Sequence, residues 1–284
     1  ANQNSKKVDE VISQVKFILS TKKEDDFTGQ IFNTLLRGKY EAGEGMGTFL
    51  TPAEVTDTMC EMVFETRKAI SNKDIKKIAD IAGGTGRFII SAKSFLNKKG
   101  FTNKKLSKML YSYEQSTLHN SLNKINFELF GMNPQIYDVS DSIIDDELKK
   151  EKQFDILLTN PPFGKNKYIF SKEILNFFSE DLLININFYK KGSTIDPCEI
   201  FFLKNLLLLK DEGVLGIILP DGFAKSNKIE KYLHFLEEVY GDKYVLNCRV
   251  SLPKQTFALT GTVALSSFLI ISKNPSKIFQ SPFT

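Results

Sequence analysis

From residue 51 onward, short apolar runs alternate with longer stretches whose apolar residues recur at helical spacing, and few folds accommodate that rhythm. The apolar runs read as strands at Ile75–Ile81, Met109–Tyr113 (closed by Glu114), Gln135–Tyr137 and Phe154–Leu158, then Val214–Leu219, Tyr244–Val250 and Thr262–Ile271. Helices are predicted from Thr51 to about Ile70 and over Arg87–Asn97, Thr117–Phe130, Glu199–Leu209 and Ile229–Val239. Thr51 reads as the N-cap of the first of these, with Pro52 in its first turn. Strands alternating with helices argue for a doubly wound, parallel α/β sheet, in which ligands collect in loops at the carboxyl ends of the strands. Three unusual loops, at Gly83, Glu114 and Asn160, follow predicted strands and are expected to converge on one edge.

Ahead of that domain, Val8, Val11, Ile12, Val15, Ile18 and Leu19 share a helical face, and a second short helix is expected at Gly29–Leu36. The glycine-bearing stretch Gly38–Gly47 reads as a loop, which divides the chain into a helical segment over 1–43 and a main domain over 44–284. No apolar run approaches the roughly 18–20 residues that span a bilayer. The polar start (Asn2, Gln3, Lys6, Lys7, Asp9, Glu10) carries no secretory signal. Cys60, Cys198 and Cys248 lie far apart without a CxxC pair, which favours a reducing, cytoplasmic setting over disulfides or a zinc ribbon. Neither His119 nor His234 has a partner at metal-ligand spacing, so no metal is expected and both read as ordinary surface or helix residues. The 38 basic residues nearly balance 34 acidic ones, so a net charge of +4 identifies no partner; a polyanion would have to meet a local basic face.

The chemistry lies in the loops. Asp80-Ile81-Ala82-Gly83-Gly84-Thr85-Gly86 lets the backbone turn tightly and approach a ligand with no Cβ in the way, while an acid at the strand tip can hold a cationic or hydroxyl-bearing group. The same residues suit a plain glycine turn or a dinucleotide loop. The spacing is not GxGxxG and no P-loop Lys-Ser/Thr pair follows, so phosphate binding is disfavoured. Glu114, ending the next strand, stands where ribose hydroxyls are received, although a solvated acid would look the same. The most informative segment is Thr159-Asn160-Pro161-Pro162-Phe163-Gly164, directly after the apolar FDILL run. Consecutive prolines leave the sheet and present rigid carbonyl acceptors. An amine on an aromatic ring is a poor nucleophile because its lone pair is delocalised. Hydrogen bonds from its N–H groups to the Asn160 side-chain oxygen and the Pro161 carbonyl would localise that pair, and Phe163 offers a face for a planar base. The structural alternative is a proline turn closing a strand.

Taken in order, these segments resemble the amino-methyltransferases of DNA, most closely the modification subunits of type I restriction–modification systems. The likeness runs over roughly 44–273 and is carried by Gly47-Thr48-Phe49-Leu50-Thr51-Pro52, Asp80–Gly86, Glu114 and Asn160–Phe163. Also similar are Glu199–Phe202, Gly213–Pro220 and Leu252-Pro253-Lys254-Gln255-Thr256-Phe257. The resemblance implies a Rossmann-like, doubly wound, mostly parallel seven-stranded methyltransferase sheet with a small helical N-terminal extension. It implies S-adenosyl-L-methionine as cofactor: Thr51 and the backbone of Ala82, Gly83, Gly84 and Gly86 would hold the methionine part, Asp80 its amino group, Glu114 the ribose, and Asp138 would lie near the adenine. It implies N6-adenine methylation of DNA, with Asn160, Pro161, Pro162 and Phe163 as the catalytic motif and Phe257 against a base flipped out of the duplex. Lys165 and Lys167, beside that motif, are candidates for phosphate contact. Two positions depart from the family pattern. Ile81 stands where Pro is usual, and Arg87 replaces a typical Gly at the helix start, where its side chain would crowd the cofactor pocket.

No recognition module is evident, so a separate specificity subunit, with a restriction subunit beyond it, is the implied partner, unless the reader lies in further chain. Methylation of an RNA guanine amine or a protein glutamine amide uses related motifs, and an inactive cofactor-binding scaffold is a third reading.

Overall fold

The computed structural model describes residues 51–138, 141–149, 152–163, 168–169, 178, 194–257 and 265–277. The helices and loop expected before residue 51, as well as Lys165 and Lys167, lie outside the described residues. In chain order the elements are α1 (Ala53–Ile70), β1 (Ile78–Asp80), α2 (Arg87–Lys98), the short α3 (Asn103–Leu106), β2 (Leu110–Glu114), α4 (Thr117–Leu129), β3 (Gln135–Asp138) and β4 (Phe154–Thr159). There follow a two-stranded antiparallel pair, β5 (Tyr168–Ile169) and β6 (Thr194–Ile195), then α5 (Pro197–Leu208), β7 (Leu209–Pro220), the short α6 (Asp221–Ala224), α7 (Lys228–Tyr240), β8 (Tyr244–Ser251) and β9 (Ser266–Lys273).

Seven strands form one sheet in the order β3-β2-β1-β4-β7-β9-β8. β1 pairs in parallel with both β2 and β4, β2 with β3, and β4 with β7, while β9 runs antiparallel to β7 and β8. The chain moves outward from β1 to β2 and β3, then returns to the far side of β1 at β4. The strand order therefore reverses between β1 and β4, and at such a switch point the loops leaving adjacent strands part to open a crevice.

Helices cover both faces, which is why FDILLT of β4 is buried at every position. The pleat sends Ile78, Ile156, Leu158, Ile218 and Ile270 to one face, against Met59 and Val63 of α1 and Ile89 of α2. It sends Ala79, Leu157, Leu215, Ile217 and Ile271 to the other, against Phe202, Leu203 and Leu206 of α5 and Leu236 of α7. Every residue of α5 is buried: most are apolar, and Glu199 accepts from Tyr232 at 2.7 Å and Lys228 at 2.8 Å. Asp196 caps it by accepting from Cys198 N at 3.1 Å, so it starts two residues earlier than periodicity predicts. β1 is shorter than expected because the amides of Lys76 and Lys77 bond the carboxylate of Asp155, at 3.0 and 2.8 Å, instead of a neighbouring strand.

The structure also corrects the cap of α1. Pro52 occupies the cap position with no side-chain cap bond, and the Thr51 hydroxyl is engaged elsewhere.

Candidate active site

Because β1 to β4 are parallel, their carboxyl ends, Asp80, Glu114, Asp138 and Thr159, lie along one edge, and the register sets Glu114 directly beside Asp138. The glycine loop leaves β1 on the near side of the crevice and the Asn160 segment leaves β4 on the far side.

The loop is held from behind. Gly83 N donates to Tyr113 O at 2.8 Å and Gly86 N to Gly83 O at 2.7 Å. Gly86 has φ +82°, a left-handed conformation that L side chains rarely adopt, and a Cβ there would lie 2.5 Å from Asn123 Oδ1 and 2.6 Å from the Phe127 ring. A Cβ on Gly83 would stand 2.3 Å from Ser112 Oγ. Asn123 in turn donates to Ser112 Oγ at 2.8 Å, and Asn126 to Thr85 O at 2.8 Å. These asparagines were not predicted as site residues. Their signal was present in the recurrence of Asn120, Asn123 and Asn126 every third residue, which sets amides along one face of α4.

Asp80 is 1% exposed and accepts from Ala82 N at 3.0 Å. Complete burial pushes its carboxyl up to about 7; the bond from Ala82 opposes that rise and the charge of Glu114 adds to it. Glu114 accepts from Gly84 N and from Ser116 N, both at 2.7 Å, which joins the glycine loop to the start of α4. Its oxygens retain lone pairs for ligand hydroxyls. His119 is not a surface residue: it is buried, with Nδ1 3.9 Å from Glu114 Oε1, and burial holds its pKa below the ordinary value. His234 is exposed and faces Glu238 at 3.3 Å.

Across the crevice, Asn160 Nδ2 donates to Thr51 Oγ1 at 3.0 Å, whereas Asn160 Oδ1 is buried without a hydrogen-bond partner among the described residues. An unmet buried acceptor costs about 1–3 kcal/mol unless a ligand satisfies it. Pro161 is buried, and Pro162 and Phe163 are half-buried, Phe163 packing against both core clusters.

One expectation is corrected. Arg87 does not crowd the loop: its guanidinium turns to α1, with Nη2 3.4 Å from both carboxylate oxygens of Asp57 and Nε 3.4 Å from Thr56 Oγ1. Phe257 is 1% exposed and lies in a core cluster against which Phe163 also packs, because a large apolar ring gains more from burial than from solvent. Asp138 is placed by its backbone, at the end of β3. Among the described residues no helix is long and apolar enough to cross a membrane.

The Type I restriction enzyme EcoEI methylase subunit of Escherichia coli is 29% identical over 234 residues, covering 79% of this chain and 44% of the relative. The Type II methyltransferase M.MamI of Microbacterium ammoniaphilum is 34% identical over 151 residues, covering 50% of this chain and 41% of the relative. The chain thus spans less than half the length of these curated relatives. Among solved structures, a Listeria monocytogenes protein assigned to the class I S-adenosylmethionine-dependent methyltransferases superposes with a TM-score of 0.65 at 17% identity, covering 93% of this chain and 72% of its own. The type I restriction-modification methyltransferase subunit of Streptococcus thermophilus gives 0.60 at 22% identity, over 80% of this chain and 45% of its own. These likenesses concern the fold. The family profile described as N-6 DNA Methylase matches residues 23–281, and the chain belongs to that family.

Proposed function

We propose that this chain transfers the methyl group of S-adenosyl-L-methionine to the N6 amine of adenine in DNA, as the modification component of a restriction–modification system. The observation that carries the reading is the buried Oδ1 of Asn160, without a hydrogen-bond partner among the described residues, at the switch point of the sheet. When bound, the cofactor supplies an electrophilic sulfonium methyl. The residues present would fit it: a loop whose Gly83 and Gly86 pack too closely on Ser112, Asn123 and Phe127 to carry a Cβ, a buried Asp80 for the α-ammonium, Glu114 for ribose hydroxyls, Asp138 at the end of β3 for the adenine and Thr51 for the methionine part. Asn160 Oδ1 and the Pro161 carbonyl accept the two N–H bonds of the amine, so its lone pair turns from the ring toward the methyl carbon. Held by these residues, the cofactor would supply the methyl group that the nitrogen takes, and the surplus proton would leave the nitrogen for water. Phe163 stacks on a base taken out of the duplex.

The chain is read as a helical segment over 1–43 followed by the methyltransferase domain over 44–284. Lys165 and Lys167 are assigned to phosphate contact, and a specificity subunit, with a restriction subunit, is the proposed partner.

Methyl transfer from labelled cofactor into DNA, ribosomal RNA and protein tests the reading. Label is expected in DNA, as N6-methyladenine, and Asn160→Ala should reduce it at least about a hundredfold. Transfer only into RNA or protein, or full activity in Asn160→Ala, overturns it.

A further inference from the structure

An asparagine amide is nearly symmetric in shape but opposite in chemistry at its two ends, so a half-turn about its last bond exchanges an acceptor for a donor. For Asn160 only one orientation serves the proposed transfer, with Oδ1 toward the amine. That is the orientation present: Nδ2 meets Thr51 Oγ1 at 3.0 Å and Oδ1 is buried and unpartnered among the described residues. Thr51 is 109 positions from Asn160 in sequence and immediately precedes α1, so the placement of that helix brings it to the motif. α1 is firmly seated through buried Met59, Cys60 and Val63, and its first turn is tied to α2 by Arg87 and by Ser91, which bonds Thr56 Oγ1 at 2.9 Å.

We infer that Thr51 is a positioning residue for Asn160, and that its hydroxyl decides which end of the amide faces the base. The inference rests on the methyl-transfer reading. A hydroxyl both donates and accepts, so it could hold either end of the amide; what selects Nδ2 is a destination for the hydroxyl proton. The methionine carboxylate of a bound cofactor would be such an acceptor. With its O–H donated to that carboxylate, Thr51 would offer Asn160 only a lone pair, so that Nδ2 stays bound and Oδ1 is left to the amine. Cofactor occupancy and the polarity of the catalytic amide are thereby coupled through one side chain.

The test compares Thr51→Val, Thr51→Ser, Asn160→Asp and the Thr51→Val/Asn160→Asp pair, measuring kcat at saturating cofactor on host DNA free of N6-methyladenine and cofactor affinity by calorimetry. Thr51→Val should lower kcat about tenfold or more, and Thr51→Ser less than about threefold. A carboxylate presents an acceptor whichever way it turns, so in the Asn160→Asp background Thr51→Val should change kcat less than about twofold. If Thr51→Val alters only cofactor affinity, or costs as much with Asp as with Asn at that position, the positioning role is overturned. Should Asn160→Asp be inactive, the side-chain amide protons of Asn160 decide by NMR in the cofactor-bound protein: slowed exchange lost in Thr51→Val supports the inference, and unchanged exchange overturns it. Wild-type protein that methylates no DNA, or Asn160→Ala at full activity, overturns the underlying reading instead.

Discussion

Asp80 sits where a negative charge is hard to keep, and that difficulty is useful. With its carboxyl pushed up to about 7 by burial, it is mostly neutral at pH 6 and mostly ionised at pH 8. Only the ionised form meets an ammonium, so affinity for S-adenosylmethionine should rise about tenfold between pH 6 and pH 8, following the ionised fraction. An amide in place of this carboxyl cannot titrate, and calorimetry on Asp80→Asn should give weaker binding with a flatter profile. The stability sign is opposite. A folded pKa above the unfolded one makes the group's contribution full below about pH 4 and lost as pH rises through about 7. Asp80→Asn should therefore raise the apo melting temperature at pH 8 while weakening the cofactor; a lower melting temperature there would contradict the burial argument. Gly86 faces the reverse constraint. Its φ of +82° and the ring of Phe127, 2.6 Å from a Cβ, leave no room for a side chain. Phe127 is itself buried in the core, so Gly86→Ala should cost about 2–3 kcal/mol in chemical denaturation and loosen the cofactor about tenfold.

At the scale of elements, α2 and α1 are joined by Arg87, Thr56, Asp57 and Ser91. Sequence comparison alone made Arg87 look obstructive, because a long side chain replaces a small one next to the glycine loop. In three dimensions its guanidinium lies against α1. Arg87→Gly is thus expected to leave cofactor affinity within about twofold and to cost about 1 kcal/mol, from helix propensity and a half-exposed ion pair. A clear gain in affinity on calorimetry would show that the side chain does intrude. α4 is legible in the same limited way. Its apolar period announces a helix, but the work of Asn123 and Asn126 under the glycine loop depends on which way that helix faces.

For the whole molecule, one antiparallel strand joins the edge strand β8 to the rest of the sheet. β9 slots between β7 and β8, and its last residue, Lys273, is 1% exposed and bonds Asp242, just ahead of β8, at 2.8 Å. Burial lowers the lysine's pKa while Asp242 opposes that shift, so removing Asp242 leaves the buried lysine in difficulty, whereas Asp242 keeps Lys152 at 3.1 Å. Asp242→Asn should cost about 3 kcal/mol in urea unfolding, and adding Lys273→Met should recover much of it; additive losses would refute a coupled pair. The order of strands and helices, the parallel class of the sheet and the three loops that carry chemistry were legible in the linear chain, because periodicity, glycine and proline act through local backbone geometry. That Phe257 is core, that Thr51 leaves its cap role for Asn160, and which end of the Asn160 amide stays open were not. Those outcomes depend on packing between segments far apart in the chain, and only folding brings such partners within hydrogen-bonding reach.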